Sequence, residues 1–561
     1  TEGGKKSLSL LSEGVIAISL YGVNAGYRVK DELGNPVSPY LIPDVLRFCQ
    51  PGRTIHLAFD QDESQKTRRR VNSALRRFGG LLHEAGAQVS ILSWDGRLGK
   101  GIDDLIANQG FAAFERAYSE ALLLSHWRIW QRLEGNLTDR ADLKINTQDL
   151  STLECAALPE RGIIGISSAK GTGKTKFTAQ QVGDSNKVLA AGHRIALMRN
   201  LSARLGLDYL GDVDKANGAF INGSAYTLRL GFCVDSLLSI DPNKFADCDL
   251  ILDEVVQVVR HILTSSTCAK EGKRPALLAR LRELIRLARR VIVADADLDN
   301  ATLVYLRELR GDEQPVFLIR NTHRPQGYPV RFLDTNDRAV AVGECLTAAQ
   351  TLEPGQQLFI TTDSKALTKQ LLRLLAHECP EKRVLLINSD TSGGEQEREF
   401  IQTPDQVIER GDFDLYICSP SVATGVSIEA QGRIATVYGI FSGVSSTDAD
   451  VAQALGRVRE PVPRVVWCAK RGNNYSKVSR AIHPREFRRH LQQQVSATAS
   501  LIRSSLREDM AGEISNYDWN ADPHLRLYCE IAARQNQSMN EFRDSVLVRL
   551  KFEGNLVTVE Q

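Results

Sequence analysis

Gly162-Ile-Ile-Gly-Ile-Ser-Ser-Ala-Lys-Gly-Thr-Gly-Lys-Thr175 is the stretch on which the reading of this chain turns. Its first six residues are apolar and β-branched, as in a strand buried on both faces, and a helical pattern follows Thr175. Between them lies a Walker A-type loop, Ser168 to Thr175, with Ser168 where a first glycine is usual. Gly171 and Gly173 permit a tight backbone whose N–H groups face an anion at a helix N-terminus. Ser168, Ala169, Lys170, Gly171, Thr172, Gly173, Lys174 and Thr175 therefore form the expected phosphate cradle. Lys174 is placed to reach the β- and γ-phosphates, and Thr175 to offer its hydroxyl to Mg²⁺.

Such a loop needs an acidic partner at the end of a later strand. Asp249-Leu-Ile-Leu-Asp-Glu254 meets that need downstream. Asp253 is the candidate Mg²⁺ ligand, and Glu254 the candidate base or water-orienting group. Positive charge must also reach the γ-phosphate in the transition state. Gln453-Ala-Leu-Gly-Arg-Val-Arg459 offers Arg457 and Arg459 as arginine fingers and Gln453 as a γ-phosphate sensor. The βα rhythm resumes at Gly162, pauses near residue 318 and starts again at Tyr328, predicting two tandem α/β units. With the loop in one and the arginines in the next, nucleotide binds in a cleft between them, and hydrolysis moves one against the other.

Residues 160–470 resemble a superfamily 2 helicase core, with motifs in the family's order. Ala191-Gly-His-Arg-Ile-Ala-Leu197 is similar to motif Ia, and Cys233-Val-Asp-Ser-Leu237 to motif Ib. Asp253-Glu254 is similar to motif II, Ala294-Asp-Ala-Asp297 to motif III, and Phe359-Ile-Thr-Thr-Asp363 to motif IV. Ser419-Pro-Ser-Val-Ala-Thr-Gly425 is similar to motif V, and Gln453 to Arg459 to motif VI. Motifs Ib, V and VI are nearest in form to herpesvirus-type origin-binding helicases. The resemblance implies two RecA-like domains, ATP as fuel, and His193, Arg194, Ser236, Thr361 and Thr424 as contacts to the nucleic-acid backbone.

The N-terminal segment reads as a separate α/β domain. Gly14 to Leu20, Thr54 to Phe59 and Gln88 to Trp94 are strand-like, with a helical pattern from Lys66 to Ala85. Glu2, Asp60 and Asp62 fall at strand ends, where their hard oxygens suit Mg²⁺. The phrases Thr1-Glu-Gly, Ala58-Phe-Asp-Gln-Asp62 and Gly99-Lys-Gly-Ile-Asp-Asp104 resemble the Toprim domain of primases, topoisomerases and some nucleases. That resemblance implies a catalytic Glu2, metal ligands Asp60 and Asp62, and a later acidic element at Asp103 and Asp104. It also implies an N-terminally truncated Toprim-like domain, because most of the first strand is missing before Glu2. The two halves together are similar to the RepA-type plasmid replication proteins of cyanobacteria, a resemblance carried also by the tail from Asp522 to Val559.

The expected organisation is a Toprim-like domain over 1–115, a helical connector and linker over 116–158, RecA-like domains over 159–320 and 321–480, and a helical C-terminal region over 481–561. The 70 basic and 68 acidic residues nearly cancel, so any nucleic-acid binding rests on local patches. Arg68 to Arg70 with Arg76 and Arg77, and the arginines from Arg280 to Arg290, read first as solvated helix faces. Trp127 and Trp130 read as core. The ten cysteines form no CxxC pair, which fits a reducing cytoplasm, and no apolar run is long enough for a membrane. The expected partner is DNA, at an origin or single-stranded, together with other replication proteins. Two alternatives stay open: a Toprim nuclease with an ATPase motor, and a non-enzymatic origin-binding scaffold with a decayed Toprim site.

Overall fold

The computed structural model describes residues 1–153, 158–216, 219–223, 225–312, 314–419, 426–503 and 519–561. The chain divides into two compact units, Thr1–Leu133 and Glu134–Gln561.

In the first unit, strands Thr54–Leu57 and Gln88–Ile91 pair in parallel, and the helix Gln65–Glu84 crosses between them. That helix buries Val71, Leu75, Phe78 and Leu82 at helical spacing and turns Arg68, Arg69 and Arg70 to solvent. The expected strand over Gly14–Leu20 is not one. Only Leu20 bridges, to Glu2, and the segment is tied to Thr1 and Gly3 by Gly3 N–Leu20 O and Leu20 N–Thr1 O hydrogen bonds. The stretch 116–158 is not a free connector either. Leu122–Leu123 pairs antiparallel with the strand Gln88–Ile91, and helix Leu124–Glu134 places Trp127 in this unit's core. Leu143–Ile145 is already the edge strand of the next sheet.

The second unit holds two wholly parallel sheets, the tandem RecA-like architecture. In the first lobe the strand order is Leu143–Ile145, Phe317–Asn321, Gly162–Ser167, Arg290–Asp295, Asp249–Asp253, Val188–Gly192, Arg229–Cys233, Asp208–Tyr209. Side-chain alternation explains why the central strands are apolar through their interiors. Leu250 and Leu252 enter the core on one face, while Ile251 enters the core on the other. Val291 and Val293 divide from Ile292 in the same way. A sheet covered by helices on both faces demands this continuous hydrophobicity.

In the second lobe the order is Val384–Ile387, Leu415–Cys418, Gln357–Thr361, Ile434–Phe441, Arg464–Cys468, Pro329–Leu333, Leu556–Glu560. The last strand is an addition to the helical C-terminal region expected from the sequence. After helices Pro484–Arg503, Pro523–Asn540 and Phe542–Phe552, the chain adds Leu556–Glu560 in parallel to Pro329–Leu333. The tail also joins the lobes. Tyr305 of the first lobe hydrogen-bonds His524 at 3.0 Å, Arg534 pairs with Asp299, and helix Phe542–Phe552 packs on helix Asp448–Leu455 of the second lobe. Among the described residues, no helix is long and apolar enough to cross a membrane.

Candidate active site

Parallel sheets collect their loops at the C-terminal ends of the strands, and ligands bind there. Three neighbouring strands of the first lobe end in the residues of interest: Gly162–Ser167 runs into the phosphate loop, Asp249–Asp253 into Glu254, and Arg290–Asp295 into the Asp295–Asp297 turn.

The loop is stiffened from within. The Ser168 and Thr172 hydroxyls lie 2.6 Å apart, Thr172 donates to the Ala169 carbonyl at 2.7 Å, and Asn321 donates to Ser168 Oγ at 3.0 Å. Ser168 in place of glycine thus supplies a bond to the neighbouring strand's end. Gly173, at φ 74°, caps helix Lys174–Val182, and Thr175 lies in that helix's first turn. A Cβ on Gly173 would meet Asp149 Oδ1 at 2.0 Å, so glycine is required there by contact as well as by backbone angle. Asp149 belongs to the stretch read as linker. Leu150 N donates to Thr172 O at 2.9 Å, and Gln180 Nε2 to Ser151 O at 3.1 Å. This outer wall of the loop has no legible sequence signal beyond the Asp-x-Ser turn.

Lys174 Nζ donates to the carbonyls of Ser168 and Ala169 at 2.9 and 2.7 Å. Burial lowers its pKa, while Asp253, Asp295 and Glu254 oppose that shift. Asp253 is pushed up to about 6 by burial and by the charge of Glu254. Asp295 is pushed up likewise, by burial first and then by Asp297. It accepts from Val256 N at 2.9 Å and from Asp297 N at 2.9 Å, which ties the motif III turn to the start of the helix after Glu254.

Glu254 carries a strained backbone, φ 51° and ψ 48°, a left-handed conformation rare outside glycine. Such strain is held in place by surrounding structure and concentrates at functional sites. Its Oε1 accepts from Gln453 Nε2 at 2.8 Å. Its Oε2 is buried and has no hydrogen-bond partner among the described residues, leaving an acceptor for a water or a cation's hydration shell. With Thr175, Asp253 and this orphaned oxygen, the donor set fits Mg²⁺.

The lobes meet here. Gln453 is buried and bonds Glu254 and also Gln257, whose Nε2 donates at 2.6 Å. Arg260 holds Asp450 with both terminal nitrogens, at 3.2 and 2.6 Å. Arg457 is buried and donates from Nη1 to Val426 O at 3.2 Å, while its Nη2 has no partner among the described residues. Burial lowers its pKa to about 10, and Glu254 works against that shift. Lys174 and Arg457, from different lobes, therefore both lie within electrostatic range of Glu254. Arg459 is exposed and donates to Ser427 Oγ at 2.9 Å.

Other expected residues fall elsewhere. His193 and Thr361 are buried, and burial drives His193 down to about 3, so it is a neutral imidazole. Neither is placed to touch a solvated phosphate backbone. Asp363 turns inward and accepts from Ser442 N, Val444 N and Ser445 N at 2.8, 2.7 and 3.3 Å, shaping the loop into helix Asp448–Leu455. Ser236 is half-buried, as is Arg194, whose pKa burial lowers to about 10. Thr424 and most of motif V lie outside the described residues. Arg289 and Arg290 are taken by the buried Asp249, at 2.8 and 2.7 Å.

In the first unit Asp60 pairs with Lys6 at 2.8 Å and Asp62 with Lys100 at 3.1 Å. The charges of Asp62, Asp60 and Glu2 all raise the Lys100 pKa, so the three carboxylates converge on an ammonium. Among the described residues they do not form a set of ligand atoms all within 4.8 Å; the set that does is Asp235, His261 and Cys268, in which His261 and Cys268 each hydrogen-bond Asp235. Asp103 pairs with Lys5 at 3.3 Å, and Asp104 caps Gly101 N at 3.2 Å.

Comparison with known proteins bears on both units. Residues 1–113 match a domain of unknown function, DUF3854, and residues 165–338 match the origin of replication binding protein family. An uncharacterized protein of Picosynechococcus is 32% identical over 99% of this chain, and the chain spans 56% of that protein's length. A protein of African swine fever virus named for a helicase/primase complex is 29% identical over 32% of this chain and 15% of its own length. Among solved structures, Dbp5 of S. cerevisiae bound to RNA and ADP BeF3 is similar at a TM-score of 0.41, with 15% identity, over 56% of this chain and 80% of Dbp5.

Proposed function

We propose that this chain is an ATP-driven DNA helicase or translocase acting at replication initiation. The observation that carries the reading is the convergence on Glu254: the phosphate-loop lysine, the acidic pair, and Gln453 and Arg457 of the opposite lobe meet at one strained residue. In this reading Lys174 exchanges its two loop carbonyls for phosphate oxygens, and Thr175 and Asp253 hold Mg²⁺. The free oxygen of Glu254 orients the attacking water, and Arg457, with its uncommitted Nη2, steadies charge on the γ-phosphate. Arg459 stands behind it as a second finger. Closure and opening of the lobes around each turnover supply movement along DNA.

The similarity to origin-binding and helicase/primase proteins supports a replicative setting, and the RepA-type resemblance narrows it to a plasmid or similar element. The first unit is then the Toprim-like partner, with Glu2, Asp60 and Asp62 as its acidic groups. Lys6 and Lys100 already neutralise the two aspartates, so a Mg²⁺-dependent primase step in that unit requires their displacement.

The test is DNA-stimulated ATP hydrolysis by the full chain. Lys174→Ala and Glu254→Gln each lower the rate by at least about 100-fold, the scale of losing one positioned charge at a transition state, with circular dichroism unchanged. Wild-type hydrolysis in Lys174→Ala would refute the assignment.

A further inference from the structure

Lys170, the third residue of the phosphate loop, leaves the loop and crosses toward the second lobe. A Cβ built on Gly456 would lie 3.9 Å from Lys170 Cδ. Its ammonium is buried and makes no hydrogen bond among the described residues. It pairs with Glu553 Oε2 at 3.6 Å, with the two side chains 25% and 28% exposed, and its charge is also felt by Asp297.

Glu553 closes helix Phe542–Phe552 and lies one turn beyond Arg549, with Oε1 3.8 Å from Arg549 Nη1. Arg549 is buried and joins both lobes. Its Nε donates to Asp448 Oδ2 at 2.6 Å and its Nη1 to Asp297 Oδ1 at 2.8 Å. Asp448 opens the helix that carries Gln453, and Asp297 closes the motif III turn. The charges therefore alternate along one path: Lys170, Glu553, Arg549, then Asp297 and Asp448. At the other end, the Lys170 charge is felt by Lys174, so a phosphate on Lys174 sits within its field.

We propose that the Lys170 side chain is a second phosphate-binding group of the loop and that Glu553 competes for it. This rests on the nucleotide-site reading above. A carboxylate at 3.6 Å without a hydrogen bond is a weak holder, and a terminal phosphate with its higher charge density displaces it. Exchange frees Glu553 beside Arg549, so the terminal phosphate is reported to the residue that clasps the two lobes. Lys170 thereby discriminates nucleoside triphosphate from diphosphate, and Arg549 and Glu553 act as positioning residues.

The experiment measures dissociation constants of a non-hydrolysable ATP analogue and of ADP, each with Mg²⁺, on the full chain. Glu553→Gln tightens the triphosphate about fivefold and changes ADP less than twofold; Glu553→Asp restores wild-type values. Lys170→Met weakens the triphosphate relative to ADP, and adding Glu553→Gln to it changes nothing further. Equal effects on both nucleotides, or a Glu553→Gln effect that persists beside Lys170→Met, overturns the competition. If Glu553→Gln does not fold, Lys170→Met alone decides, since unchanged selectivity excludes Lys170 from the phosphate. Failure of the nucleotide site itself looks different: Lys174→Ala then binds both nucleotides as the wild type does.

Discussion

The Arg260–Asp450 pair offers the most direct measure of how the two lobes are held together. Arg260 lies on the helix that follows Glu254, Asp450 on the helix that carries Gln453, and the contact is bidentate. Unit charges about 4 Å apart attract by about 4 kcal/mol at an effective dielectric of about 20. Desolvation takes back a large share, and the side chains remain 32% and 18% exposed, which leaves about 2 kcal/mol for the closed arrangement. That corresponds to about a 30-fold shift in the ratio of closed to open molecules. Asp450 also caps its own helix, accepting from Thr447 N and Thr447 Oγ1 at 2.9 Å each, so Asp450→Asn alone mixes two effects. Arg260→Leu leaves the cap in place and is the cleaner perturbation. The assay is intramolecular energy transfer between labels on the two lobes, read beside DNA-stimulated ATPase rate, for each single variant and the double. Arg260→Leu opens the lobes and lowers the ATPase rate about tenfold or more, and Asp450→Asn in that background adds only its cap effect. Strictly additive losses, or a single variant that closes and hydrolyses as before, would show that the lobes are held by something else.

Three further outcomes are expected. Asp249→Asn, which leaves Arg289 and Arg290 facing a neutral amide in a buried position, costs about 3 kcal/mol of stability by urea titration. Burial opposes the lowered Asp249 pKa, and hydrogen bonds from Arg290 and Arg289 outweigh it; its contribution is thus full above the ordinary carboxylate range and fades as pH falls below it. Asp253 has the opposite sign. Raised to about 6, it binds a proton more readily folded than unfolded, so its own contribution to stability in buffer without nucleotide or Mg²⁺ falls as pH climbs from about 4 through 6; the stability of the wild type relative to Asp253→Asn falls over that range, and a relative stability that rises would contradict it. In the first unit, Lys100→Met releases Asp62 and tightens Mg²⁺ binding by isothermal titration severalfold, an increase that Asp60→Asn with Asp62→Asn abolishes; unchanged titration in Lys100→Met would argue against a cation site there.

What the sequence made legible and what it hid follow one physical rule. Strands buried on both faces, such as Asp249–Asp253 and Arg290–Asp295, are apolar at every interior position, and the loops after them carry residues whose chemistry is tied to short spacings. The glycines at 171 and 173, the Asp253-Glu254 pair and the Gln453–Arg457 turn could therefore be read locally. The Gly14–Leu20 run failed as a strand because pairing depends on a neighbour that composition does not reveal, and here Leu20 alone bridges, to Glu2. His193 and Thr361 had the right motif positions, yet their depth is set by packing from other elements, His261 among them.

The tail was the least legible part, for the same reason. Its Arg549 and Glu553 look like ordinary charged residues at helical spacing, and only tertiary placement gives them Asp297, Asp448 and Lys170 as partners. Its final strand is the edge of the second lobe's sheet, while its helix Pro523–Asn540 is pinned to the first lobe through His524 and Arg534. An element bound to both lobes cannot stay indifferent when they move. Any opening of the cleft must either break the Arg549 bridges or strain the turn at Glu541, where helix Pro523–Asn540 gives way to helix Phe542–Phe552. The C-terminal segment is thus mechanically coupled to both lobes.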